Sequence, residues 1–137
     1  KVESKLLENK DINKESLKNV FDNAGIKTNI INDDLVIQKD NIKSIVYCKP
    51  DVVSIVSNFR LKPDLDEKIL QNKLVDLNYG AYPHRFFLSS DKKTLAISIT
   101  YLTSVGIYIP QFVLSTNAYF AFILLDFKRI DCSDILM

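Results

Sequence analysis

From Thr94 to Leu125 the chain carries no Asp, Glu, Lys, Arg or His. A charge-free stretch of that length has to be covered by a protein interior, a lipid bilayer or a partner. A spanning helix needs about 20 predominantly apolar residues. Here Gly106, Pro110, Gln111, Ser115, Thr116 and Asn117 interrupt the run, and its first part, "TLAISITYL", alternates as a strand does. A strand, a turn and a helix in succession could not satisfy their backbone groups in hydrocarbon. The expectation is therefore protein cover, with no membrane insertion. Pro110 suits a first helical turn, and the helix runs to about Ile130.

On a helical wheel Phe112, Val113, Phe120, Ile123, Leu124 and Phe127 fall on one side. Leu114, Ala118, Ala121, Phe122 and Leu125 fall on the other. A helix apolar all round has to be buried all round. One side covers its own sheet, but a domain this small rarely surrounds a helix. Leu114, Ala118, Phe122 and Leu125 are therefore expected to meet a partner, either a second copy or a client protein. The alternatives are a helix wrapped by its own domain, or a strand, since "AYFAFILLDF" also alternates.

The totals narrow the class. At 137 residues, 47% hydrophobic and 26% charged, the chain fits one domain able to bury a core without staples. Eighteen basic and 17 acidic residues nearly cancel, which leaves no electrostatic footprint for nucleic acid or anionic lipid. Cys48 and Cys132 have no metal-ligand spacing and read as apolar or idle thiols, with a disulfide between them left open. That usage leans to a reducing, cytoplasmic compartment. The first residue is Lys1, so a signal peptide upstream is also left open. No metal or cofactor is expected.

Along the chain, residues 1–11 form a polar segment, frayed or loosely helical, and residues 12–137 form one domain. "DINKESLKNVFDNAG" is a helix with Asn13 as N-cap, Ile12 stapled to Leu17, and Gly25 as the left-handed C′ residue. Short β-type runs follow: "KTNII" and "DLVIQ" around Asn32 and Asp33, then "IKSIVYC" and "DVVSIVSNF". "DLDEKILQNKLVDLN" returns to helix, with a capping box at Asp64 and Glu67 and a core face of Ile69, Leu70, Leu74 and Leu77. Asn78 and Gly80 close it, and two strands, "HRFFLS" and "TLAISITYL", precede the last helix. The order α-β-β-β(-β)-α-β-β-α predicts an α+β fold with a small antiparallel sheet.

His84 is the only histidine. It stands between a helix end, "LNYGAYP", and a strand, "HRFFL", with no nucleophile, carboxylate or oxyanion site at recognisable spacing. It reads as part of a structural corner with Asn78, Tyr79 and Tyr82, dispensable for the fold. Asn78 acts there as a left-handed cap, and the tyrosines act as lids over the core.

A leading helix ending in Gly, short strands, and then "LVDLNYGAYPHRFFLSSDKKTLAISITYL" resembles the YbjN family of bacterial proteins. Leu77, Asn78, Phe86, Phe87, Asp91 and Leu95 fall in that family's places, and the match runs from about Ile12 to Phe127. The resemblance implies a fold like that of type III secretion chaperones. It also implies a non-enzymatic protein-binding role, the members being labelled sensory transduction regulators. The family carries no agreed catalytic residues to transfer.

The leading functional reading is thus a protein-binding domain, chaperone-like or regulatory, acting as a dimer. Its working surface is the last helix or an exposed sheet edge. The alternative is an immunity- or inhibitor-type protein that binds one specific partner. An enzyme with an unrecognised site, or a small-ligand pocket under Tyr79 and Tyr82, ranks below both.

Overall fold

The computed structural model describes residues 5–137. In chain order its elements are β1 (Leu6–Leu7), a 3-10 turn (Asn9–Asp11), α1 (Lys14–Asn23), β2 (Thr28–Ile31), β3 (Asp34–Lys39), β4 (Ile42–Lys49) and β5 (Val52–Arg60). They continue with α2 (Glu67–Gly80), β6 (Arg85–Leu88), β7 (Thr94–Leu102), β8 (Ile107–Tyr108) and α3 (Ile109–Arg129). The class is α+β, as expected.

Two tight hairpins start the main sheet. Asn32 and Asp33 both take positive φ (51° and 70°), and so do Asp40 and Asn41 (53° and 64°). Two consecutive left-handed residues make the turn whose twist matches the flanking strands, and Asn and Asp tolerate that conformation best after glycine. The first hairpin was legible as a signal; the second, at Asp40 and Asn41, was not singled out. The six strands run in the order β2-β3-β4-β5-β7-β6, every neighbour antiparallel. The β5–β7 pair is the spine, in register from Val52↔Leu102 to Arg60↔Thr94.

Alternation decides which side each strand residue serves. Leu35, Ile37, Val46, Val53, Ile55, Ile97 and Ile99 face the core, together with Leu17, Val20 and Phe21 of α1, Leu70 and Leu77 of α2, and Phe112, Phe120 and Ile123 of α3. Each such side chain contributes about 1.5–3 kcal/mol on leaving water. A polar line crosses this core. The Tyr119 hydroxyl donates to the Ile97 carbonyl at 2.8 Å, so it can only accept from Ser57 Oγ, also at 2.8 Å. Ser57 in turn accepts from Ser44 at 2.6 Å. Every hydroxyl hydrogen in the chain of bonds is used, which is what a buried polar line requires.

The ends of α1 are as expected. Ser16 N donates to Asn13 Oδ1 at 2.8 Å, and Asn13 N donates back to Ser16 Oγ at 3.0 Å. Gly25 (φ 77°) closes the helix, with Ile26 N reaching the Phe21 carbonyl at 2.9 Å.

Three expectations are corrected. The N-cap of α2 is Asp66, which accepts from Lys68 N at 2.8 Å; Asp64 has φ 57° and lies outside the helix. Ile69 is exposed, so α2 rests on the domain through Leu70 and Leu77, with the half-buried Leu74 packed against the core as expected. Finally, within the segment read as frayed, Leu6 and Leu7 pair with Tyr108 and Ile107, and Leu7 packs against the core. Two leucines in a polar segment are enough to hold it; residues 1–4 of the segment expected to fray lie outside the described residues.

Candidate functional site

His84 does sit at the predicted corner, opening β6 after α2, but it is neither exposed nor alone. Its side chain is 1% exposed and its Nε2 lies 2.5 Å from Asp126 Oδ2. Asp126 is buried on the last turn of α3, and its other oxygen lies 3.4 Å from Arg129 Nη2. The partner carboxylate thus exists, far away in sequence, and the expectation that none would be in reach is corrected. The ring is walled by Phe86, Tyr119 and Phe122, with Phe122 stacked at 6.0 Å and 16°. Nδ1 is buried with no hydrogen-bond partner among the described residues.

Arg129 ties the same corner to α2. It donates to the carbonyls of Asp76 (3.1 Å) and Leu77 (3.0 Å), where the helix runs out of its own donors and its dipole favours a cation. Asn78 acts differently from the left-handed cap expected of it. It lies inside α2, which runs on to Gly80, and its amide bonds both backbone groups of Phe86: Nδ2 to the carbonyl at 2.8 Å, and Oδ1 from the N–H at 2.7 Å. Tyr79 and Tyr82 are 92% and 84% exposed and cover nothing. An open cleft of about 910 Å³ lies instead against the start of α2, floored by Leu61, Leu65, Leu70 and Leu88. Lys62, Glu67, Asp91 and Lys92 line its rim with mixed charge.

The predicted partner face behaves unevenly. Leu114 is 63% and Leu125 57% exposed, Phe122 is 37% exposed because His84 covers one side of it, and Ala118 is half-buried. The opposite side of α3, through Phe112, Thr116, Tyr119, Phe120, Ile123 and Asp126, is buried in the domain. By length and composition α3 is apolar enough to cross a membrane, but here that buried side is seated on the sheet. The wheel identified two faces correctly except at Leu124, which is exposed. It missed Tyr119, Asp126 and Arg129. Their signal was weak but present: Asp126 is the first charge after the long neutral run, and Arg129 follows it by three residues.

Cys48 is half-buried, Cys132 is buried, and both are free thiols raised in pKa mainly by burial. Among the described residues no three His, Cys, Asp or Glu side chains converge to hold a metal ion.

No protein-family model matches the chain, and no curated protein matches it in sequence. In structure it is similar to YbjN of E. coli, a proposed transcription regulator. The TM-score is 0.77 at 14% identity, covering 92% of this chain and 96% of that one. The chain has the YbjN fold.

Proposed function

We propose that this chain is a non-enzymatic protein-binding domain, regulatory or chaperone-like, which acts in the cytoplasm as a dimer and holds a protein partner on the outer face of α3. The observation that carries this reading is the exposure of Leu114 and Leu125, with Phe122 between them, on a helix that has no charge before Asp126. An apolar stripe kept open on a monomer marks an interaction site, and burying these three side chains would supply about 1.5–3 kcal/mol each. The sealing of His84 from solvent supports a non-catalytic role. The two free thiols support a reducing compartment. Likeness to a proposed regulator supports a regulatory role over a metabolic one.

The test is recovery of partners from the source cell with wild type and with the double variant Leu114→Glu, Leu125→Glu. The expected result is a defined partner that binds wild type at fixed stoichiometry and is lost from the double variant, with melting temperature unchanged. Equal binding by both proteins removes α3 from the reading.

A further inference from the structure

We infer that the free edge of β2 is where two copies of this chain meet, strand against strand, so that the sheet continues across a two-fold axis at Asn29. The inference deepens the dimer proposed above and rests on it, but it assigns the dimer to a surface other than α3.

The two edges of the sheet differ. At β6, Ser89 N bonds the Thr94 carbonyl, so alternation turns the backbone groups of Phe86 outward, away from β7. Asn78 takes both of them. That outward position is closed by a side chain of α2. At β2, Gln38 N bonds the Lys27 carbonyl at 3.1 Å, and Thr28 pairs with Ile37. The same alternation makes Lys27, Asn29 and Ile31 the residues bonded to β3, and turns the N–H and C=O of Thr28 and Ile30 outward. Among the described residues no hydrogen bond meets those outward groups. The strand carries Ile30 and Ile31, both exposed, and none of the inward charges, bulges or prolines that blunt an edge.

The pattern is self-complementary in one register. With a two-fold at Asn29, Thr28 of one copy faces Ile30 of the other, and each pair exchanges two backbone bonds. Centring on Thr28 would oppose Ile30 to Ile26, and centring on Ile30 would oppose Thr28 to Asn32; both of those lie outside the strand. In the chosen register Asn29 faces its own copy as a close, non-bonded pair, where two amides can bond each other. Ile31 faces the stem of Lys27, so no like charges meet. Thr28 is already held by Asp22 (2.6 Å) and Lys18 (3.2 Å) of α1, so little order remains to be imposed on binding.

The experiment uses the whole chain. A non-bonded antiparallel pair brings Cα atoms within disulfide range. Asn29→Cys should therefore cross-link to a dimer under mild oxidation, whereas wild type and the exposed control Asn19→Cys should not. By light scattering, Ile30→Pro, which deletes an outward N–H and spares the ladder to β3, should be a folded monomer. Should Ile30→Pro fail to fold, Asn29→Lys replaces it: two lysines face each other and weaken the dimer at least about tenfold. A dimer that persists in Asn29→Lys, or that fails to cross-link through Asn29→Cys, overturns the edge assignment. A dimer lost instead in Leu114→Glu, Leu125→Glu moves it to α3 and overturns the edge while the dimer stands. A wild type that stays monomeric overturns both.

Discussion

His84 and Asp126, 42 residues apart, meet at 2.5 Å across the junction of β6 and α3. Each is the other's reason for being buried, because a buried carboxylate needs donors and a buried imidazole N–H needs an acceptor. His84→Ala is therefore expected to destabilise by about 2–4 kcal/mol, since it leaves Asp126 with Arg129 alone. Asp126→Asn, which keeps an acceptor in place, should cost less. Urea denaturation of both variants checks the order. Equal stability of wild type and His84→Ala would return His84 to a dispensable corner residue.

Asn78 is expected to act through donor and acceptor together. Asn78→Asp keeps the bond from Phe86 N–H but sets a carboxylate oxygen against the Phe86 carbonyl, and Asn78→Val removes both bonds. Each should lower stability by about 1–2 kcal/mol. Hydrogen exchange at the Phe86 amide should quicken in Asn78→Val and not in Asn78→Asp.

The Tyr119 hydroxyl predicts how stability responds to alkali. Burial raises its pKa far above the ordinary value near 10, and burial also raises that of Tyr101. Above that ordinary value the unfolded chain loses protons that the folded chain keeps. Stability is thus full below it and falls as pH rises through it. Tyr119→Phe should cost about 1–2 kcal/mol near neutrality through the lost bonds. It should also flatten the decline that sets in as pH rises through about 10. Denaturant titrations of the two proteins on both sides of that pH measure the difference.

Phe122 and Leu125 share a face of α3 but should respond differently to charge. Leu125→Glu changes an exposed position and should alter stability by no more than about 0.5 kcal/mol. Phe122→Glu unstacks the ring from His84 and brings a carboxylate toward Asp126, so it should destabilise by about 2 kcal/mol or more. A charge spares the fold only at a residue that touches nothing inward. Thermal melts of the two variants separate the cases.

The elements of this fold were legible because they are local. Asn13 three residues before Ser16, Gly25 after an apolar stripe, and Asn32–Asp33 between alternating runs each act within a few residues, through capping bonds and left-handed backbone. The long neutral run from Thr94 likewise announced a strand and a helix with more apolar surface than one small domain would hide. Two local readings failed by a few residues, at Asp64 and at Asn78, where more than one nearby side chain could have served as the cap.

What the tertiary structure decided is every relationship that joins distant segments. No spacing rule connects His84 with Asp126, Arg129 with the Asp76 and Leu77 carbonyls, or Ser44 and Ser57 with Tyr119. Those contacts form because β6 lies at the sheet edge beside α2 while α3 crosses the same core, and strand order is a property of the whole chain. The same holds for the surfaces. Which side of α3 stays dry, and which sheet edge keeps its backbone groups open, depends on what else packs there, and only the assembled domain specifies that.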